Sequence, residues 1–123
     1  MNGWVEEIPV TEACPIFVPF LLGSNAHPNA KGSFVGLTSF HTRRHLARSV
    51  YEGIAFSHRT DLERLLASYQ RTPDVIRLTG GVAKSRVWTQ MFADVMNLPV
   101  ETADANETGT LGCAIAAAAA AGE

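Results

Sequence analysis

Between Val75 and Leu98 the chain reads VIRLTGGVAKSRVWTQMFADVMNL, and this stretch leaves few folds open. Val75, Ile76 and Leu78 form a short β-branched and apolar run behind the turn signal Thr72-Pro73-Asp74, which predicts a buried strand. Thr79-Gly80-Gly81 ends that strand. Beyond it, Val87, Met91, Val95 and Leu98 recur at helical spacing with Trp88, Phe92 and Met96 beside them, predicting a helix from near Ser85. Every other segment has to fit around this order of strand, Gly-Gly turn and helix.

The order has a chemical consequence. A glycine carries no Cβ, so the backbone at Gly80 and Gly81 can adopt positive φ and let a flat or charged ligand come close. A helix starting there presents free N–H groups and the positive end of its dipole to the turn. The same turn also serves as a plain left-handed connection, and by itself it leaves both readings open. Neither GxGxxG nor a GxxxxGK phosphate loop occurs. A nucleotide bound here would need another fold to hold it.

A chain of 123 residues, 46% hydrophobic and 18% charged, has the composition of one soluble globular domain with a real core. Its net charge of −2 provides no basic field to gather phosphates, which argues against nucleic acid as a partner. The ten basic residues lean toward Arg43–Arg86, a bias that solvated helix surface also explains. Cys14 and Cys113 lie far apart and belong to no metal-ligand spacing, so two buried thiols in a reducing compartment are expected, and no metal site. Met1–Val10 carries Glu6 and Glu7 in place of the basic start of a signal peptide. Ala114–Ala121 is too short to cross a bilayer, and a cytoplasmic location without membrane contact is the expectation.

Met1–Pro15 shows no period and reads as an irregular lead-in. Ile16-Phe17-Val18 predicts a short buried strand, confined by Pro15 and Pro19 to an edge or a brief pairing. Phe20–Gly36 reads as a long loop. Thr42 is the expected N-cap of the longest helix, running to about Tyr69, with Leu46, Val50, Ile54, Leu62, Leu65, Leu66 and Tyr69 as its apolar stripe. Gly53 inside that helix costs about 1 kcal/mol relative to Ala, so close packing on another backbone is expected. His58 reads as a hydrogen-bonded core histidine. Leu98–Thr102 predicts another strand, and Asp104–Thr108 a turn in which Asn106 or Thr108 caps a last helix. The small residues of that helix, Gly109, Gly112, Ala114, Ala116 and Ala117, predict close packing. Strands alternating with helices predict a parallel α/β sheet, and two or three strands are few for three helices.

Several of these segments match a known family. GSFVGLTSFHTRRHLARSVYEG, Gly32 to Gly53, resembles the second signature of the FGGY carbohydrate kinases, with Gly32, Phe34, Gly36, Leu37, His45, Leu46, Ser49, Val50, Tyr51 and Glu52 in its places. RLTGGVAKS resembles the family's adenosine motif, and ETGTLGCAIAA its closing acidic-small-Gly-Ala-Ala helix. Within the family, Gly23-Ser24-Asn25, Glu52–His58, Leu62–Arg64, MFADV and ETG look most like the L-xylulose or 3-keto-L-gulonate kinase branch. Other members carry Gly-Glu-Arg where this chain has Gly-Ser-Asn, and glycerol, ribulose and other sugars remain open.

The resemblance implies an incomplete ribonuclease H-like domain of the actin/hexokinase ATPase type, in the order strand-helix-strand-helix-strand-helix. Residues 1–123 would be the second half of the C-terminal, nucleotide-binding domain, with the sugar-binding domain, the catalytic aspartate and a phosphate turn lying outside. The implied activity is transfer of the γ-phosphate of ATP, with Mg2+, to a sugar hydroxyl, and the isolated chain should be inactive. No residue here takes the catalytic position; Glu52, Asp94 and Glu107 are expected to be structural. Carried over position by position, Gly81 packs its backbone on the adenine, Gly80 supports the turn, Val82 and Ala83 line it, and Ser85 offers a hydroxyl. Lys84 either touches phosphate or ribose or is simply solvated. A second expectation is a noncatalytic α/β module that survives as a homo-oligomer.

Overall fold

The computed structural model describes residues 1–24, 27–69, 71–103 and 108–122. In chain order they form α1 (Asn2–Glu6), β1 (Ile16–Val18), β2 (Ser33–Val35), α2 (Arg43–Tyr69), β3 (Ile76–Leu78), a 3-10 turn (Val82–Lys84), α3 (Arg86–Met96), β4 (Val100–Thr102) and α4 (Thr108–Ala121).

Helix α2 is the spine. Its N-terminus is closed by a reciprocal cap: Thr42 Oγ1 accepts the Arg44 N–H at 3.3 Å, while Nδ1 of His45 accepts the Thr42 N–H at 3.0 Å. The histidine stands where a glutamate usually completes such a box. Its Nε2 donates to Glu12 at 2.7 Å. The helix is flanked by α1 and α3 on one side and by β1 on another. It buries Ala47, Tyr51 and Ala55 together with the polar His45, Arg48 and Ser49. The expected leucine stripe is therefore not the core face: Leu46, Val50 and Ile54 are half-buried, and Leu65 and Tyr69 are exposed. Two neighbouring faces are in use at once, so small and clasping residues replace one wide apolar band.

The lead-in read as irregular contains a helix of five residues, too short to show a period. Val5 is wholly buried, and the segment is strapped to α2 by polar groups. Tyr51 donates its hydroxyl to Asn2 Oδ1 at 2.6 Å, Arg44 pairs with Glu7, and the Arg43 guanidinium stacks on Trp4 at 4.8 Å. Arg48 donates to the Ile8 carbonyl at 2.5 Å and to Glu52 at 2.7 Å.

The segment expected to be all loop, Phe20–Gly36, includes β2, which pairs antiparallel with β1 in the register Ile16↔Val35 and Phe17↔Phe34. Strands β3 and β4 pair in parallel, Ile76↔Val100 and Leu78↔Thr102. Among the described residues these are two separate pairs, not one parallel sheet. The hairpin lies against α2, but β1 is not the buried strand expected: Ile16 is exposed and Phe17 and Val18 are half-buried, since only one side of the pair is covered. The parallel pair joins the core of Val5, Tyr51, Met91, Phe92 and Met96 through half-buried Ile76, Leu78 and Val100.

Three further expectations change. His58 is exposed, its ring 5.5 Å from that of Phe92 instead of sitting in the core. Cys14 is half-buried and Cys113 exposed, so the two buried thiols do not exist. On α4, every described side chain from Leu111 onward is exposed, contrary to the close packing its small residues suggest. Asn25, Gln70, Asp104, Asn106 and Glu107 lie outside the described residues.

Candidate functional site

Strand β3 ends at Leu78, and the chain turns at Thr79-Gly80 at the carboxyl end of the parallel pair. In open α/β sheets this is the end where ligands are received. Gly80 has φ +76°, in the left-handed region, so the positive φ considered for both glycines is needed at this one alone. Gly81 has φ −63° and ψ −34°, ordinary right-handed backbone that starts the 3-10 turn. A Cβ added to either glycine would meet nothing within 4 Å. The corner is open space bounded by bare backbone.

Below the corner the 3-10 turn hands the chain to α3. Lys84 N–H donates to Gly81 O at 3.3 Å, and Ser85 N–H to Val82 O at 3.1 Å. Ser85 is the N-cap of α3: its Oγ accepts the Trp88 N–H at 3.3 Å, and its carbonyl accepts from the Thr89 amide and hydroxyl, both at 2.9 Å. At 7% exposure, the Ser85 hydroxyl holds the helix and does not present itself to the corner. Val82 is half-buried against the core and likewise turns inward. Lys84 is exposed.

Beside the turn, a depression of about 390 Å³ runs along the outer side of α3 to β4, with Ala83, Lys84, Arg86, Thr89, Gln90 and Thr102 in its wall. The six expected residues thus divide. Gly80 and Gly81 bound the open corner, Ala83 and Lys84 line the depression, Val82 packs against the core and Ser85 caps α3. Arg86, Thr89, Gln90 and Thr102 were not foreseen. The spacing of Arg86, Thr89 and Gln90 is nevertheless helical, and they form the polar face opposite Val87, Met91 and Val95.

The carboxylates of the matching segments are occupied elsewhere. Glu52 pairs with Arg48, and Asp94 accepts from Gln90 Nε2 at 2.8 Å. Among the described residues no group of three or more His, Cys, Asp or Glu could hold a metal ion. No described helix is long and apolar enough to cross a membrane.

Residues 6–121 match the profile described as "FGGY family of carbohydrate kinases, C-terminal domain". The L-xylulose/3-keto-L-gulonate kinase of Escherichia coli is 44% identical over 119 residues, covering 95% of this chain and 23% of the relative. A probable L-xylulose kinase of Haemophilus influenzae is 38% identical over 117 residues, covering 95% of this chain and 24% of its own. The structure of ligand-bound xylulose kinase from Lactobacillus acidophilus superposes with TM-score 0.78 at 35% identity, covering 98% of this chain and 25% of that one. Plasmodium falciparum glycerol kinase with ADP gives TM-score 0.78 at 28% identity, covering 93% of this chain and 23% of that one. The chain spans about a quarter of the length of these relatives.

Proposed function

The chain belongs to the FGGY family of carbohydrate kinases, and from that premise we propose that it forms the second half of the nucleotide-binding domain of an ATP-dependent sugar kinase. Its fold matches part of those sugar kinase structures, about a quarter of each chain, and is read here as a portion of their actin/hexokinase-like ATPase fold. The observation that carries the proposal is the open Gly80–Gly81 corner at the carboxyl end of β3 and β4. There the Gly81 backbone packs on the adenine, Gly80 sets the turn, and Ala83 and Lys84 begin the wall beside it. Ser85 acts by capping α3, which fixes where that wall stands. The acceptor sugar is L-xylulose or a related ketose or keto-acid sugar, in keeping with the names of the curated relatives.

In phosphoryl transfer most of the catalysis is positioning and charge stabilisation. This chain supplies the nucleotide side of that arrangement. Mg2+, which shields phosphate charge when bound with ATP, would take its protein ligands outside the described residues, among which no group of three or more His, Cys, Asp or Glu could hold it. With no base in the catalytic position, the isolated chain should show no sugar-dependent ATP turnover above background.

Calorimetric titration of the full chain with MgATP tests the reading, with Gly81→Val as the comparison. Gly81 is at ordinary φ and a side chain there meets no protein atom, so the variant should fold. Its branched side chain would fill the place of the purine. ATP affinity in the parent that is lost in the folded variant is the expected result; equal affinity in both would overturn the assignment of the corner.

A further inference from the structure

We propose that Arg59 of α2 is the positioning residue of the Gly80–Gly81 corner: its guanidinium anchors the far end of α3 and, through the link that follows, the strand pair on which the corner stands. The consequence for ATP rests on the nucleotide reading of that corner; the anchoring itself does not. Arg59 Nε donates to Glu63 Oε1 at 2.8 Å, one turn further along α2, which fixes the plane of the guanidinium. Its Nη1 donates to the Val95 carbonyl at 2.5 Å. Val95 lies in the last turn of α3, among the carbonyls for which a helix has no internal partner. A cation there also meets the negative end of the helix dipole. Donor and acceptor both belong to this chain, so the contact does not depend on what covers the outer faces of the fold.

Two routes lead from this anchor to the corner. The first runs forward. Asn97, the only non-glycine with positive φ among the described residues, reverses the chain directly after α3 at φ 52°. The Pro99 carbonyl then accepts the Ile76 N–H at 2.9 Å, which opens the β3–β4 pair, and the Ala103 N–H closes it on the Leu78 carbonyl at 3.0 Å. Thr79 and Gly80 come next. The second route runs back along α3, about 16 Å, to its cap Ser85 and the 3-10 turn begun by Gly81. The strand side and the helix side of the corner are thus referred to one point on α2. Ring contacts between the same helices, Tyr51 with Trp88 at 4.4 Å and His58 with Phe92 at 5.5 Å, hold them together but resist sliding along the axis only weakly, because apolar attraction has no direction. The bond at Val95 is directional and sets that position. A binding site keeps its geometry only while the elements beneath it are held to a fraction of an ångström.

Amide NMR spectra of the full chain, recorded without nucleotide, test the anchoring directly. Arg59→Met keeps the aliphatic stem and removes the donors. Its Gly80, Gly81 and Ser85 amide signals are expected to move, while in Gly53→Ala, a variant destabilised where α2 meets β1, they stay in place. Arg59→Lys, whose ammonium can still reach Val95, should bring them most of the way back. Arg59→Gln takes the place of Arg59→Met should the latter lose its near-UV circular dichroism. In calorimetric titration with MgATP, Arg59→Met should lose affinity about tenfold and Arg59→Lys less than about threefold, with Gly53→Ala at the parent value. Signals that move only at Val95–Leu98 would overturn the proposal, whatever the nucleotide does, and so would parent-like MgATP affinity in Arg59→Met. Corner signals that move in a chain whose parent binds no MgATP would sustain the anchoring and count against the nucleotide reading instead, which keeps the two failures apart.

Discussion

Gly53 of α2 faces the carbonyl oxygen of Phe17 on β1 so closely that a Cβ would overlap it, and that Cβ would also lie 3.1 Å from Phe17 Cδ1. The helix and the hairpin touch backbone to backbone at this point. Replacing Gly53 by Ala gains about 1 kcal/mol of helix propensity. Forcing the strand away costs about 1–3 kcal/mol, as overpacking does elsewhere. Because the opposing atom is main chain and cannot rotate aside, the clash should win, and Gly53→Ala should lower stability by up to about 2 kcal/mol in urea unfolding. A more stable variant would show that β1 is free to shift.

The two glycines of the turn should respond in opposite senses. Gly80 holds φ +76°, where an L-residue costs about 1–2 kcal/mol, so Gly80→Ala is destabilising by that amount. Gly81 is right-handed with open space around it, so Gly81→Ala should be neutral or stabilising by up to about 1 kcal/mol, through a stiffer unfolded chain. Paired unfolding curves decide the matter. Equal losses for both would mean the turn is not built as described.

Arg48 is 8% exposed and satisfies the Ile8 carbonyl, reaches the Val5 carbonyl at 3.5 Å and holds Glu52. Arg48→Met keeps the stem but leaves these acceptors without their donor. Stranded buried acceptors cost about 1–3 kcal/mol, more for a charged one, so a loss of about 2–4 kcal/mol is expected by chemical denaturation. Hydrogen exchange should rise first in α1, which the guanidinium ties down. Uniform exchange across the chain would argue against the strap.

The two thiols should differ in reactivity. Burial pushes the Cys14 thiol above its ordinary value of 9.0, and Glu52 adds to the shift while Arg48 opposes it. Cys113 is exposed on α4. A disulfide reagent at pH 8 should therefore label Cys113 about tenfold faster than Cys14, since the thiolate is the reacting form and access adds to the difference. The raised value also sets a sign. The folded chain holds the Cys14 proton more tightly than the unfolded chain, so this contribution is complete below pH 9 and declines as pH rises through the folded value. Cys14→Ser should flatten the loss of stability between pH 8 and 10, and an unchanged slope would remove Cys14 as its cause.

Much of the molecule was legible from residue spacing. Val75–Leu78, the helix after Ser85 and the strand near Val100 are all present, because each carries a local period or a turn signal strong enough to stand alone. Gly53 announced a close backbone approach by its cost. The polar face Arg86, Thr89, Gln90 is legible from the same helical period as the apolar face of α3. Less accessible were α1 and β2, five and three residues long, whose existence depends on what they pack against. The burial of Arg48 and His45 on α2 instead of its leucines belongs to the same class, since two neighbours compete for one helix.

The amino-acid order by itself determined the strand–turn–helix around Gly80 and the family signatures, because these are local: a missing Cβ, a helical period and a set of matched residues mean the same in any surroundings. Only the tertiary structure decided which glycine takes the left-handed turn, that Ser85 and Val82 face inward while Lys84 faces out, and that the strands pair as two units. Those outcomes depend on contacts between segments far apart in sequence, where burial and hydrogen bonding to a distant partner outweigh any local preference.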